Sequence, residues 1–187
     1  ADFMKLNNDF YLTSTSNWLD LNVADTTIIN FTINISSNET MCLICNAKGN
    51  DGQIIAVIDE RKLKIGFNHA RNRTLINPFI MELNEDHNIT IGYTKTNVWC
   101  MINDSNFITL RINRQFNQNF DPQTLYIGIF PSENDRLIYP FKGTIKYLKI
   151  TQDGVLIAKY CFRENQTQCI NEVDPTTKLF TLNQITV

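Results

Sequence analysis

The sequence predicts an all-β protein in which two antiparallel sheets pack face to face. Short runs of alternating apolar and polar residues follow one another, with turn-forming residues between them about every 8 to 12 positions, as is typical of sandwiches. The composition agrees, because strand-favouring Thr, Ile, Phe and Val are plentiful and Ala is scarce. With 187 residues the chain is long enough for one core of full size, so we expect a single domain over residues 1–187.

The predicted strands follow from the alternation of side chains. The clearest is the run 27–35, where Ile29, Phe31 and Ile33 fall on one face while Asn30 and Thr32 fall on the other. The remaining predicted strands, in chain order, are 40–46, 54–58, 62–67, 88–93, 98–102, 107–112, 124–130, 143–150 and 155–158. A long polar loop is expected over residues 131–140, and residues 77–85 could form a helical turn or two.

Three stretches of the chain resemble concanavalin A-like, or laminin G-like, jelly-roll domains. Residues 53–67 (QIIAVIDERKLKIGF) are similar to the central hairpin of those domains, and residues 85–104 to the next hairpin with its aspartate-bearing turn. Residues 124–130 (TLYIGIF) and 141–150 (FKGTIKYLKI) resemble their closing pair of strands. The resemblance implies a two-sheet antiparallel jelly-roll sandwich, a fold that carries lectins, glycosidases, adhesion modules and virion parts.

The end of the chain resembles bacterial and phage-encoded members of this fold. The likeness lies in residues 146–150, in the turn QDG at 152–154 and in residues 171–183 (NEVDPTTKLFTLN). Such members occur in tail fibres and secreted surface proteins, and we expect a short C-terminal extension from about residue 161. One departure is that Thr144 follows Gly143, where laminin G modules typically carry a cysteine.

The charge pattern argues against two classes of partner. Seventeen basic and nineteen acidic residues nearly balance, and the basic residues are scattered along the chain. Nucleic acid would need a concentrated positive surface, and a membrane span would need about 20 consecutive apolar residues. The sequence therefore predicts neither a nucleic-acid partner nor membrane insertion, and it shows no secretory signal.

The five cysteines suggest structure more than metal binding. Cys42 and Cys45 form a C-x-x-C, but no second pair follows and neither histidine has a matching spacing, so we expect no zinc site. Alternation predicts instead that both thiols are buried in a strand. Cys161 and Cys169 bracket a short polar loop. They either close a disulfide, which would imply an oxidising compartment, or remain free thiols.

No pattern of catalytic residues is complete. Glucanases of this fold place carboxylates at alternate positions of one strand, whereas the nearest acidic cluster here is Glu82, Glu85 and Asp86, which we expect to be solvated. No G-x-S-x-G or glycine-rich phosphate loop is present. The stretch HARNR at 69–73 is interpreted as a basic turn. The sequence therefore predicts no enzyme and no cofactor, and a glycosidase is the third alternative.

The candidate ligand-binding residues are of the types that lectins use. An aromatic ring stacks on the apolar face of a sugar, and Asn, Asp or Arg side chains bind its hydroxyls. Long polar loops at a sandwich end carry such residues more often than strands do, which favours residues 132–139. The candidates are Trp18, Asn50, Asp51, Trp99, Asp135, Arg136 and Tyr139. Either tryptophan could instead belong to the core or plug one end of the sandwich.

Two further features concern metal binding and modification. Asn50 and Asp51, together with Asn103 and Asp104, could supply oxygens to a calcium ion, although they are also ordinary turn formers. Seven N-x-S/T sequons are candidates for glycosylation if the source is a eukaryote or a virus that infects one. They are Asn30, Asn34, Asn38, Asn72, Asn88, Asn103 and Asn165.

These observations predict a non-catalytic extracellular module that binds a cell-surface glycan or glycoprotein. Such a module would sit on a cell, a secreted protein or a virion. The alternative is a structural domain of a virion or fibre assembly that binds only other protein subunits. A groove lined with aromatic and amide side chains would favour the first hypothesis, and long apolar patches would favour the second.

Overall fold

The strands of the protein form two antiparallel sheets in a computed structural model, which describes residues 4–6, 10–14, 16–67, 74–113, 120–164 and 166–183. A short 3-10 turn, Leu21–Val23, precedes the third strand. Within the described residues the strands are β1 (Met4–Leu6), β2 (Phe10–Thr13), β3 (Thr27–Ile35), β4 (Met41–Lys48), β5 (Asp51–Asp59), β6 (Lys62–Phe67), β7 (Leu75–Ile76), β8 (Asp86–Tyr93), β9 (Asn97–Ile102), β10 (Ser105–Arg111), β11 (Tyr126–Ile127), β12 (Phe130–Pro131), β13 (Leu137–Ile138), β14 (Gly143–Gln152), β15 (Val155–Cys161), β16 (Gln168–Cys169) and β17 (Leu179–Asn183).

The two sheets are called sheet I and sheet II. In the described part of the chain, sheet I has the order β1-β14-β3-β8-β9-β10, with β15 also paired to β14. Sheet II has the order β16-β17-β2-β11-β4-β5-β6-β7, and β12 pairs with β13 in a separate hairpin. Neighbours such as β14 and β3 lie far apart in sequence, as expected of a jelly roll. The predicted all-β, two-sheet antiparallel sandwich is confirmed.

The core lies between the sheets and follows from the alternation of side chains. In β3, buried and half-buried residues alternate over the whole strand, so that Phe31 and Ile33 face inward while Asn30 and Thr32 face outward. A shift of one residue would place every inward side chain in water, so this pattern also fixes the strand register. Inward residues from both sheets form one cluster that includes Leu12, Ile29, Phe31, Ile44, Ala56, Ile65, Ile91, Cys100, Ile127, Leu148 and Tyr160.

Two stretches differ from the sequence prediction. Residues 124–130, expected to be one strand, are divided into β11 and β12 at Gly128, whose φ of +84° interrupts an extended strand. Residues 77–85 form no helix. The Asn77 side chain accepts a hydrogen bond from the backbone N–H of Phe79, a local bond that competes with helix formation, and Asn84 turns the chain at a φ of +61°.

The C-terminal residues complete sheet II and cover an edge of sheet I. Strand β17 pairs with β2, and β16 pairs with β17. Beside β15, the buried Asn171 amide donates to the carbonyl of Ile157, and its oxygen accepts from the backbone N–H of Lys159. This side chain satisfies backbone groups that an edge strand would leave open. The residues expected to form an extension from about 161 therefore supply strands to the sandwich.

Candidate functional site

The outer face of sheet II carries a second, smaller apolar cluster. Bulges where β4 pairs with β5 place both Cys42 and Cys45 on this outer face. The two thiols pack with Ala47 and Phe130, and Ile55, Val57, Tyr126 and Ile138 pack against them. Burial, followed by the hydrogen bond with Cys45, raises the pKa of Cys42 well above its usual value. The prediction that these cysteines are buried strand thiols is confirmed.

A β-hairpin, residues 130–139, lies over this outer cluster. The rings of Phe130 and Tyr139 stack with their centroids 6.3 Å apart, and the Cys42 N–H donates to the Tyr139 carbonyl at 2.8 Å. The predicted polar loop corresponds to residues 132–136, which lie outside the strands, while the two-residue strands β12 and β13 at its ends were not predicted. Its apolar ends, Phe130 and Ile138, pack onto the cluster and bring the hairpin back across the sheet.

The tip of the hairpin is tied to the turn between β4 and β5. The Gly49 N–H donates to the Pro131 carbonyl at 2.9 Å, and the Asn50 side-chain amide donates to Glu133 Oε1 at 2.5 Å. Lys48 forms an ion pair with Asp135. Gly49 has a φ of +56°, and a Cβ there would clash with Glu133, so this contact requires glycine.

A cleft of about 430 Å³ opens beside the hairpin, next to β2 and β11. Its aromatic wall consists of Tyr11 and Tyr126, whose ring centroids are 6.0 Å apart with an interplanar angle of 43°. The Lys48–Asp135 ion pair also lines it. We call this the tyrosine cleft, and its lining residues are Tyr11, Ala47, Lys48, Gln123, Thr124, Tyr126, Pro131, Asp135 and Leu137.

Strand pairing explains why the two tyrosines face this cleft. Tyr126 pairs with Thr13 of β2 on one side and with Cys45 of β4 on the other, whereas Ile127 points into the core. Tyr11 lies two residues before Thr13 and therefore shares its outer face. The short strand β11 thus carries an aromatic ring to the place where the hairpin leaves the sheet uncovered.

The polar atoms of the cleft influence one another. The hydrogen bond from Lys48 to Asp135, together with the charge of that carboxylate, raises the pKa of Lys48. Burial, and then the neighbouring Tyr126, raises the pKa of Tyr11. Near neutral pH the cleft therefore presents an ammonium group beside a neutral phenol. Gln123 and Thr124 add an amide and a hydroxyl.

A shallower groove runs along β5 and β6 on the other side of the hairpin. It consists of two hollows of about 220 and 310 Å³ that share Ile55 and Gly66. Tyr139 lines one of them, together with Asp59, which accepts hydrogen bonds from Lys64 at 2.7 Å and from Thr40 at 2.8 Å. The bond from Lys64, and then that from Thr40, lowers the pKa of Asp59.

The tyrosine cleft has the chemistry of a site for a polar ligand with an apolar face. Aromatic rings can stack on such a face, while a few convergent polar groups fix its orientation. Among the described residues that line it, Asp135 is the only carboxylate, and it is paired with Lys48. A retaining or inverting glycosidase would need two carboxyl groups across the scissile bond.

The structure brings several of the predicted loop residues to the hairpin. Asp135 lines the tyrosine cleft, Asn50 holds the hairpin tip, and Tyr139 lines the groove on the other side. Arg136 is exposed at the hairpin tip, where its carbonyl accepts the Ser132 N–H. Asp51 is exposed at the start of β5. Neither Arg136 nor Asp51 is among the residues that line the cleft.

The two tryptophans lie elsewhere. Trp18 is half-buried and packs against the main core, and its indole Nε1 has no hydrogen-bond partner. Trp99 lies on the outer face of sheet I, where its side chain covers Gly92. Neither ring lines the tyrosine cleft, and a role of either in ligand binding stays a prediction.

The remaining cysteines and the candidate metal ligands can also be placed. All five cysteines are free thiols in the structure. The disulfide between Cys161 and Cys169 stays a prediction. Asn50 lies in the turn before β5 and Asp51 begins that strand of sheet II. Asn103 and Asp104 form a turn of sheet I, and each has a φ near +60°. In the described chain, no three His, Cys, Asp or Glu side chains come together as a metal site would require.

The structure describes the acidic cluster of the sequence but not the basic turn. Glu82 and Glu85 are exposed, but Asp86 starts β8 and pairs with Lys146 at 2.5 Å. His69 and the rest of the basic turn lie outside the described residues. His87 is buried, with its ring nitrogens 3.0 Å from the Glu82 carbonyl and from the Asn103 amide.

Most of the predicted sequons lie on the outer face or in turns of sheet I. Asn38 is exposed. The Asn30 side-chain amide donates to Asn88 Oδ1 at 2.7 Å and to Thr90 Oγ1 at 2.9 Å, so in the fold it is already engaged. Asn34 donates more weakly, at 3.4 Å, to Asp86. Asn72 and Asn165 lie outside the described residues, and glycosylation stays a prediction at every sequon.

Sequence reasoning missed most of the cleft lining, namely Tyr11, Ala47, Lys48, Gln123, Thr124, Tyr126, Pro131 and Leu137. One signal was present for Tyr126, because alternation with the inward Leu125 and Ile127 places it on the outer face. No local signal shows that Tyr11, more than a hundred residues earlier, reaches the same place.

Comparison with known proteins identifies the fold. No protein-family model and no curated protein sequence matches the chain. Among solved structures, a protein from Bacteroides ovatus described as carbohydrate-binding superposes with a TM-score of 0.67 at 12% identity, over 97% of this chain and 58% of that one. The CBM40 module of a Ruminococcus gnavus sialidase, bound to α2,3-sialyllactose, superposes with a TM-score of 0.61 at 12% identity, over 82% of this chain and 90% of that one.

The laminin resemblance is also present in the structure. Domains LG4-5 of the mouse laminin α1 chain superpose with a TM-score of 0.61 at 12% identity, over 99% of this chain and 46% of that one. The chain thus spans just over half of the Bacteroides protein and just under half of the laminin fragment. At these identities the likeness establishes the fold, which is the expected concanavalin A-like, laminin G-like jelly roll.

Proposed function

We propose that this protein is a non-catalytic glycan-binding module whose ligand occupies the tyrosine cleft. The observation that carries the proposal is the pairing of Tyr11 and Tyr126 with the ammonium, carboxylate, amide and hydroxyl groups of the same cleft. One sugar ring would stack on the Tyr126 side of the wall, and its hydroxyls would bond to Lys48, Asp135 and Gln123.

The neighbouring folds support a binding role. They include a Bacteroides ovatus protein described as carbohydrate-binding and the CBM40 module of a Ruminococcus gnavus sialidase bound to α2,3-sialyllactose. By analogy, the ligand is a glycan or glycoprotein on a cell surface, and the module acts outside the cell, on a secreted protein or a virion. No helix in the described part of the chain is long and apolar enough to cross a membrane.

A broad glycan array, with and without calcium, tests the proposal. We expect saturable binding to one glycan class by the wild-type protein. Tyr126→Ala should weaken that binding about tenfold, since a lost aromatic contact is worth about 1 kcal/mol or slightly more. Tyr126→Phe should keep most of the affinity, because it retains the ring. Loss of binding without calcium would add a metal site to the proposal.

A matched control is Tyr147→Ala, which removes a half-buried tyrosine from β14 of sheet I. It should leave the array pattern unchanged. A blank array under both calcium conditions, or equal losses from the Tyr126 and Tyr147 variants, would contradict the proposal.

A structural role in a larger assembly is the second candidate. It is favoured by exposed large apolar side chains at the start of β15 and in the segment beside its edge, namely Val155, Leu156, Ile170 and Val173. Exposed apolar patches mark interaction surfaces more often than chance allows. This hypothesis predicts concentration-dependent self-association, which analytical ultracentrifugation would detect. The double variant Val155→Ser, Ile170→Ser should abolish it.

A further inference from the structure

The outer face of sheet I, opposite the tyrosine cleft, carries an exposed aromatic pair. Trp99 of β9 is half-buried, and Phe107 of β10 is 59% exposed. Their ring centroids lie 5.7 Å apart with an interplanar angle of 35°. Large aromatic side chains are costly to leave in water, so an exposed pair on a strand face calls for an explanation.

The sheet is built to hold the indole against its surface. Trp99 pairs in register with Gly92 of β8, and a Cβ at Gly92 would clash with indole atoms Nε1, Cε2 and Cζ2. The ring therefore occupies the space that a side chain would take on the neighbouring strand. Any other residue at position 92 would lift the indole away from the sheet.

Hydroxyl and amide groups border the pair, and the exposed Arg111 shares the outer face of β10 two residues beyond Thr109. Across the sheet, the residues that share the register row of Trp99 are Thr109, Gly92, Ile28 and Thr151. Beside them, the Asn97 side-chain amide donates to Thr109 Oγ1 at 3.1 Å. An aromatic surface bordered by amide and hydroxyl groups matches a sugar ring, which has one apolar face and hydroxyls at its rim. The register row of Trp99 contains no charged residue, so stacking on the two rings is the main contact that it offers to a sugar.

We infer that Trp99 and Phe107 form a second carbohydrate site, which binds neutral oligosaccharides by stacking. We call it the Trp99 platform. It lies on the opposite sheet from the tyrosine cleft and shares no residue with it. The two proposed sites can therefore be tested independently. With both sites, one module could hold two glycan chains at once and gain avidity on a surface where they are dense.

Indole NMR signals give a direct test, because the chain contains only two tryptophans. The ¹⁵N-labelled protein is titrated with cellohexaose, maltohexaose and N-acetylchitohexaose, and Trp99→Phe assigns the two indole N–H signals. We expect at least one sugar to shift the Trp99 signal saturably while the Trp18 signal stays in place. In the Tyr126→Ala variant the shift should persist, which separates the platform from the cleft.

Two exposed-residue variants add a matched comparison. Phe107→Ala should lower the affinity for the sugar measured in the titration about fivefold to tenfold, as expected for the loss of one aromatic contact. Val23→Ala, which trims another highly exposed apolar side chain, should leave it unchanged. The inference is overturned if no sugar shifts the Trp99 signal or if the shift disappears in Tyr126→Ala. It is equally overturned if the signal moves with protein concentration alone, which would make this face a contact between copies of the chain.

Discussion

Strands β3 and β4 lie in different sheets and show how differently the two outer faces of the sandwich are used. Along β3, buried and half-buried residues alternate, and the outer positions are Ile28, Asn30, Thr32 and Asn34. Along β4, the first seven residues are all buried, because the hairpin 130–139 covers the outer positions Cys42 and Cys45. The same strand geometry therefore produces an open face in sheet I and a covered face in sheet II.

The difference teaches where a binding site can arise on this fold. A hairpin laid across a sheet creates walls, and the tyrosine cleft and the β5–β6 groove lie on its two sides. A bare strand face is flat and can offer only a stacking surface such as the Trp99 platform. The composition of the outer positions anticipates this. Those of β4 are small and apolar, and those of β3, apart from Ile28, are amides and hydroxyls. The following predictions test the comparison, from the largest expected effect to the smallest.

Phe130→Ala should remove the main contact between the hairpin and sheet II. Phe130 is only 9% exposed and packs on Cys42 and Cys45, so we expect a loss of roughly 3 kcal/mol in the free energy of unfolding. Urea unfolding measures the loss, and mass mapping of native-state thiol alkylation should show faster labelling of Cys42 and Cys45.

The matched change on the open face is Thr32→Ala. It should alter stability by less than about 0.5 kcal/mol and leave the labelling of both cysteines unchanged. If Phe130→Ala behaves in the same way as Thr32→Ala, the hairpin does not seal the outer cluster.

A disulfide between Cys161 and Cys169 would join β15 of sheet I to β16 of sheet II. Burial, and then the nearby Cys161, raises the pKa of Cys169 to about 12, so its thiolate is scarce and thiol–disulfide exchange should be slow at neutral pH. After prolonged incubation with oxidised glutathione we expect the bond to form and to add about 2 kcal/mol to stability. Intact mass detects the loss of two hydrogens, and Cys161→Ser is the control. A protein that keeps both thiols throughout would refute the pairing.

Acid should weaken an ion pair on each outer face. Hydrogen bonds from Lys64, and then Thr40, lower the pKa of Asp59 on sheet II, and Lys146 lowers the pKa of Asp86 on sheet I. A lowered folded-state pKa means that each pair stabilises the fold above the ordinary carboxyl pKa. That stabilisation is lost as the pH falls through the lowered value.

The Asp59 contribution should be the larger one, because its side chain is 31% exposed while that of Asp86 is 48% exposed. Thermal unfolding from pH 7 to pH 3 measures this effect. Asp59→Asn should flatten the acid decline more than Asp86→Asn does, and the reverse order would contradict the burial argument.

The Lys48–Asp135 ion pair should matter little to stability. Both side chains are well exposed, so Asp135→Asn is expected to change the free energy of unfolding by less than about 1 kcal/mol. The same variant removes the carboxylate of the tyrosine cleft and should weaken glycan binding on the array. Unchanged glycan binding would show that Asp135 only fastens the hairpin tip.

Much of the sandwich could be predicted from local patterns. The predicted strands 27–35 and 62–67 coincide with β3 and β6, and others, such as β5 and β8, are longer by one to three residues at an end. Alternation determines such strands, because one face is buried against the core. It fails for residues 124–130, where Gly128 and the hairpin contacts override an apolar run. The strands β1, β2, β16 and β17 were missed, since they depend on pairing with distant segments.

The candidate site was less predictable than the fold. Asp135 was identified from loop chemistry, but Tyr11 and Tyr126 meet only after β2 and β11 pair across more than a hundred residues. The hairpin position depends on packing between Phe130 and a bulged strand, which no local pattern encodes.

Hydrogen–deuterium exchange with and without the glycan found on the array tests the central claim most directly. We expect bound glycan to slow exchange in peptides covering residues 121–139 and 44–52, which contain the hairpin and the turn that holds it. Peptides from residues 155–161 of sheet I should be unaffected. Protection confined to other segments, with the hairpin unchanged, would contradict the assignment of the ligand to the tyrosine cleft.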